Sequence, residues 1–236
     1  MNELKSTVLD TPLFFLIATL AAYLSGIAVY RKCNQHSLAQ PILIGILCII
    51  GLLQVLDIKF DTYNRHVNIL NILLGSATVC LAVPIYQNLT LIRNNLRPIL
   101  FATLVSGAVS SGLAVFLAWL LEADNRILLS LAPKSITTPF AIGVSNAIGG
   151  YPSLSAAIVI LTGILVAIIA TPAFALLRED DPMIRGLAMG MTGHGIATAR
   201  AFELDNKTGA FSALGMGLMG IYISVTLPYL IVLFRL

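Results

Sequence analysis

The chain has 236 residues, 58% of them hydrophobic and 11% charged, with a formal net charge of +3. About a quarter of the residues in a soluble domain are charged, so a mean hydropathy of +0.92 excludes a soluble globule and places the mass in a lipid bilayer. The small charge, spread between apolar segments, excludes a nucleic-acid surface, and about 20 residues per span leave no length for a soluble catalytic domain.

In chain order, apolar segments run over residues 12–30, 40–57, 67–88, 97–121, 126–149, 153–177, 184–202 and 209–234. Unpaired backbone groups are costly in lipid, so these segments are expected to be helices; the ten-residue alternation of a barrel is absent. The expected fold class is an all-α integral membrane protein of seven to eight membrane segments, forming one polytopic domain over residues 1–236. Glu3, Lys5 and Asp10 precede the first segment in place of the basic start of a signal peptide, so that run reads as a retained span. The loops with Arg31 and Lys32 and with Arg93 and Arg97 are the most basic, which puts both in the cytoplasm and the N-terminus outside. If residues 130–150 re-enter, Arg178, Arg185 and Arg235 also fall inside, giving seven crossings and one hairpin; if they cross, there are eight.

Three segments are poor simple spans. The first, 67–88, contains Asn68, Asn71, Gly75, Ser76, Thr78 and Pro84. The second, 126–149, contains Pro133, Lys134, Ser135, Thr137, Thr138, Pro139 and Gly143, and ends at the Gly149-Gly150 pair. The third, 184–202, contains Gly186, Gly190, Gly193, His194, Gly195 and Arg200. Such backbone survives at membrane depth only when buried in protein or lining a cavity, so all three are candidate broken or re-entrant helices.

Two stretches echo each other. Gln40 to Gly45 resembles Thr138 to Gly143, and Gly75 to Thr78 resembles Gly195 to Thr198. Interrupted segments in two halves point to an inverted repeat, with halves of about 1–121 and 122–236. The pairs are offset by 98 and 120 positions, so an insertion separates them.

The stretch Leu131 to Pro139 has the form of a helix start, with proline followed by hydroxyls that satisfy orphan N–H groups. A helix N-terminus in the membrane suits a carboxylate, and Lys134 adds a full charge. The alternative is that Lys134 snorkels and the hydroxyls only cap. In the run Gly193 to Arg200, His194 could take up a proton, and Arg200 could bind a carboxylate through its planar fork. Arg200 could equally cap a helix C-terminus or pair with Glu203. Ser76 and Thr78 complete the candidate substrate-binding set of Lys134, Ser135, Thr137, Thr138, His194, Thr198 and Arg200. The candidate structural breaks are Pro133, Pro139, Gly149, Gly150, Gly193, Gly195, Gly75 and Pro84. Gly186/Gly190 and Gly215/Gly217/Gly220 read as close-packing surfaces. Cys33, Cys48 and Cys80 have no metal or redox spacing, and no nucleotide loop or paired intramembrane carboxylate is present. No enzyme, cofactor or metal is expected.

In combination, several motifs resemble the LrgB/CidB family, in its YohK-like branch. They are Ala132-Pro133-Lys134-Ser135 through Thr138-Pro139 to Ile148-Gly149-Gly150, then Pro152 and Thr162-Gly163. Further along come Arg185 to Gly190, His194 to Arg200, Glu203-Leu204-Asp205, and Gly209 to Ser212. The resemblance covers essentially the whole chain and is strongest from about 130 to 220. Two positions depart from the family pattern: Ala197 stands where a glycine is usual, and Ser76 where a proline is. The resemblance implies a multi-pass bacterial inner-membrane protein, often accompanied by a small holin-like membrane partner. It also implies one of two roles. One is secondary transport of a small monocarboxylate, of the glycolate, glycerate or pyruvate kind, as in the plastid glycolate/glycerate translocator. The other is antiholin-like modulation of murein hydrolase activity through membrane oligomerisation. The intramembrane polar groups favour transport with proton coupling, and a homodimer is the expected assembly.

Overall fold

The computed structural model describes residues 11–33 and 39–234, and every extended regular element among them is a helix. The chain divides into two compact units, Met1–Cys80 and Leu81–Leu236.

The first unit contains α1 (Pro12–Lys32), α2 (Pro41–Val55), α3 (Phe60–His66) and α4 (Asn68–Cys80). Proline in the first turn starts α1 and α2, where its missing N–H costs no helical bond. Asp57, at φ 53, turns the chain between α2 and α3, which meet at 119°. A short polar side chain tolerates that left-handed conformation. Phe15, Leu53 and Val67 form the core of this unit, and Thr19 shares a 3.0 Å hydrogen bond with the Tyr63 hydroxyl.

The second unit contains α5 (Ala82–Gln87), α6 (Leu89–Asn94), α7 (Leu96–Leu120), α8 (Asn125–Leu131), α9 (Thr138–Ile148), α10 (Pro152–Leu177), α11 (Pro182–Leu204) and α12 (Asn206–Phe234). Among the described residues, α1, α7, α10 and Asn206–Ile231 of α12 are long and apolar enough to cross a bilayer, or five spans if α2 and α3 form one bent span. The chain is therefore an all-helical integral membrane protein. The remaining apolar segments consist of shorter or interrupted helices. In residues 67–88 the interruption falls at Leu81, between Gly75 and Pro84, and Pro84 sits in the first turn of α5.

Between α7 and α10 the chain goes out and returns. The Arg126 guanidinium donates through Nε to the Gly149 carbonyl at 3.3 Å and lies 4.1 Å from the centre of the Tyr151 ring. Ser130 Oγ accepts from the Tyr151 amide at 2.7 Å, and Ser155 Oγ donates to the Ser130 carbonyl at 2.8 Å. The start of α8 thus lies beside the end of α9, and residues 126–149 form a hairpin whose tip is 132–137. Gly149, at φ 85, ends α9 in the left-handed conformation that glycine adopts freely.

A second hairpin lies within α11. His194 has φ 43 and ψ −134, so the helix breaks there. Thr208 and Ser212 of α12 press on Gly186 and Gly190 before the break. Ser212 Oγ also bonds Thr198 Oγ1 beyond the break at 2.9 Å, and Gly209 lies against the Phe202 ring. In a straight helix Gly186 and Phe202 would be about 24 Å apart, too far for consecutive residues to touch both. Residues 195–204 therefore run back along 182–193. Buried Met189, Ala197 and Ala201 pack together between the two arms and Ala170 of α10.

Asp205 closes this hairpin and starts α12, accepting from the Thr208 amide at 2.9 Å and from its hydroxyl. Burial pushes the carboxyl up, but the hydrogen bonds from Thr208 and Lys207 and the Lys207 charge outweigh it, leaving the carboxyl below its usual range. A lowered native pKa stabilises above the unfolded value, near 4, and that stabilisation is lost as pH falls through the native value. Asp205→Ala is expected to cost about 1 kcal/mol at neutral pH, as N-cap losses do. The gap between the two melting midpoints in detergent should close as the pH falls below about 4.

Candidate functional site

The tip of the first hairpin is held by hydroxyls of α7. Lys134 Nζ donates to Ser110 Oγ at 2.8 Å and to Ser135 Oγ at 3.3 Å, and the two hydroxyls bond each other at 2.7 Å. Ser111 Oγ donates to the Ala132 carbonyl at 2.8 Å. Ser135 and Ile136 are buried, and no ion pair among the described residues involves Lys134. Ser110 lies ten positions from the end of α7 at Leu120, which is about 15 Å, half of a hydrocarbon core about 30 Å thick.

Thr137 precedes α9 in an extended conformation and makes no side-chain cap; Thr138 and Pro139 occupy the first turn. The first N–H groups of α9 thus have no side-chain acceptor from the N-cap, and their partial positive charge adds to that of Lys134. One ammonium, two hydroxyls and an uncapped helix start thus fall at one hairpin tip, and the charge they carry there is positive.

The tip of the second hairpin is His194, which is buried and flanked by Gly193 and Gly195. Its Nε2–H donates to the Val159 carbonyl at 2.9 Å, a partner that fixes the proton on Nε2 and leaves Nδ1 as an acceptor. The ring fits because α10 carries glycine at 163, where a Cβ would stand 2.8 Å from His194 Cε1. Thr198 Oγ1 is within 2.7 Å of the His194 carbonyl, which ties the returning arm to the tip. Arg200, six positions further along, bonds Glu203 Oε2 at 2.7 Å, the local pairing that the sequence leaves open.

Val159 and Gly163 lie seven and eleven positions into the 26-residue α10. The two hairpins enter from opposite ends of that helix and their tips approach its middle. Ile136 at one tip and Met191 near the other belong to the same buried cluster. Lys134, Ser135, Thr137, Thr138, His194 and Thr198 therefore all stand at or within a turn of the two tips.

Ser76 is exposed on α4 in the first unit, and of Gly75 and Thr78 the structure describes only their place in that helix. No group of three His, Cys, Asp or Glu residues with metal-binding geometry occurs among the described residues. The sequence reading passed over Ser110 and Ser111. The available signal was the spacing of Thr103, Ser106 and Ser110, which puts hydroxyls on one face of an otherwise apolar helix.

The sequence pattern of the LrgB-like family matches residues 19–233. The holin-like protein CidB of Staphylococcus aureus (strain Mu50) is 32% identical over 225 residues, 94% of this chain and 96% of that protein. The holin-like protein CidB of Staphylococcus epidermidis (strain RP62A) is 32% identical over 235 residues, covering 99% and 100% of the two chains. The uncharacterised protein YwbG of Bacillus subtilis is 30% identical over 216 residues, or 92% and 96%. No solved structure matches the chain.

Proposed function

We propose that this chain, which belongs to the LrgB-like family, carries small monocarboxylates across the bacterial inner membrane. The observation that carries the reading is the pair of opposed hairpins, with Lys134 and the start of α9 at one tip and His194 at the other. Broken helices that place a half-helix N-terminus near mid-membrane are the arrangement in which secondary transporters hold anionic substrates. A lysine at that depth costs roughly 2.5–3.5 kcal/mol on insertion scales and marks function by default. Both hairpins re-enter the membrane, each returning to the face it left. One carboxylate matches the single ammonium and the N-terminus of α9, and Nδ1 of His194 is the acceptor for a coupled proton.

The test is uptake of labelled pyruvate, lactate, glycolate, glycerate and acetate by purified protein in proteoliposomes, with and without a pH gradient. Saturable uptake that the gradient stimulates supports the reading. Absence of uptake for every substrate, from protein shown to be folded, contradicts it.

A second reading is favoured by the CidB relatives, whose name as holin-like proteins speaks for it more directly than for transport. Here the protein is a holin-like modulator of murein hydrolase activity that acts by assembling in the membrane, with its own copies or with a small membrane partner. A Cβ at Gly217 of α12 would meet nothing within 4 Å, so Gly217→Leu should leave the fold intact. On this reading the variant loses assembly, measured by light scattering in detergent, and loses its effect on autolysis of cells. On the transport reading, autolysis responds only through solute uptake, and Gly217→Leu keeps both.

A further inference from the structure

The two hairpins leave one side of the tip region to α7. That helix meets each hairpin through a different hydroxyl. Ser106 Oγ donates to Met191 Sδ, near the second tip, at 3.4 Å. One turn on, Ser110 accepts from Lys134, and Ser111 holds the Ala132 carbonyl. Thr103 bonds its own helix, to the Ile99 carbonyl at 2.9 Å, so it does not take part in this seam.

We propose that α7 forms the third wall of the solute site, with Ser110 as the positioning residue for the Lys134 ammonium and Ser111 as the fixing point of the hairpin tip. The inference deepens the transport reading and rests on it for the solute. Its physical basis is the flexibility of lysine. Four rotatable carbons carry a compact charge that is strongly hydrated in water, and near mid-membrane that charge needs acceptors to stay in one place. Ser135 lies next to Lys134 in the chain and moves with it. Ser110 belongs to a separate helix, and that helix is packed firmly: a Cβ on Gly107 would stand 2.5 Å from the Tyr222 ring of α12. Ser110 therefore refers the charge to the framework, both directly and through its 2.7 Å bond to Ser135, which otherwise belongs to the tip. A bound carboxylate takes the remaining donor of the ammonium, since two of its three N–H groups are already used.

The experiment compares wild type, Ser110→Ala, Ser110→Thr and a control, Thr226→Ala, whose hydroxyl bonds only the Tyr222 carbonyl of its own helix. Two quantities are read: the KM and kcat of uptake, and the rate at which an acylating reagent modifies Lys134, followed by mass spectrometry with Lys207 as internal reference. Ser110→Ala is expected to raise KM about tenfold, the order expected from losing one hydrogen bond to a charged group, with kcat within about twofold. Threonine at 110 restores KM, and Thr226→Ala changes neither quantity. Lys134 is modified several-fold faster in Ser110→Ala, because the freed amine leaves its acceptor. An unchanged modification rate overturns the positioning role, as does a fall in kcat at constant KM that threonine does not rescue. If wild type itself shows no uptake, the transport reading fails. The modification rate still decides the positioning of Lys134: faster modification upholds it and no change rejects it.

Discussion

Lys134→Gln is expected to lower kcat/KM for monocarboxylate uptake by about 10–100-fold, the loss that follows when a charge-assisted hydrogen bond of about 1.5–3 kcal/mol is removed. On the transport reading the effect should fall mainly on KM, because there the ammonium meets the solute carboxylate in the bound ground state. The protein should remain folded. Removing a charge near mid-membrane relieves an insertion cost of roughly 2.5–3.5 kcal/mol, and glutamine can keep a bond to Ser110 or Ser135. Lys134→Arg should retain part of the affinity, since the charge persists but the larger fork crowds the buried Ser135. On the holin-like reading the site has no solute, and Lys134→Gln should leave autolysis control intact. Uptake in proteoliposomes and autolysis in cells, measured on the same variant, separate the two roles.

Gly190→Val should have the largest effect on stability. The position faces the Ser212 carbonyl, and a Cβ there would be driven into that oxygen and its backbone carbon. Neither atom belongs to a flexible side chain, so the first arm of α11 must move away from α12. Overpacking costs about 1–3 kcal/mol where side chains can yield, and more is expected where only backbone can. Gly186→Val, against the Thr208 carbonyl and the Phe211 Cβ, should behave alike. Gly143 and Gly217 meet nothing within 4 Å. Alanine at either position should be neutral or stabilising, because alanine exceeds glycine in helix propensity by up to about 1 kcal/mol. Melting midpoints of purified variants in detergent check this ordering; equal losses at Gly190 and Gly143 would contradict it.

Much of this was legible in the residues. The membrane class followed from composition, and the family from the runs around Lys134 and His194, which fall within the matched residues 19–233. Residues 126–149 and 184–202 stood out because proline, glycine and charge in an apolar segment need protein around them. The close packing of Gly186 and Gly190 was also readable, though its partner was not: hydropathy shows that a glycine makes room, not what fills it. The second reversal was hidden for a related reason. One residue, His194, takes a conformation usual for glycine between two true glycines, so the pattern of residues gives no sign of which one turns the chain. Arg200 was open between solute and Glu203, because the choice depends on which way the returning arm faces. Ser110 and Ser111 were missed because a serine in an apolar helix bonds its own backbone more often than a neighbour.

The opposed hairpins are tested most directly by sidedness. In protein whose Cys33, Cys48 and Cys80 have been replaced, single cysteines at Asn125, Ser153, Asp180 and Asn206 are labelled with a membrane-impermeant maleimide in sealed vesicles of known orientation. All four positions are exposed. Cysteines at 125 and 153, which flank the first hairpin, should react from one face. Those at 180 and 206, which flank the second, should react from the other. Labelling of 125 and 153 from opposite faces, or of 180 and 206 from opposite faces, would show a segment that crosses the membrane and would contradict the meeting of two hairpin tips on which the proposed site depends.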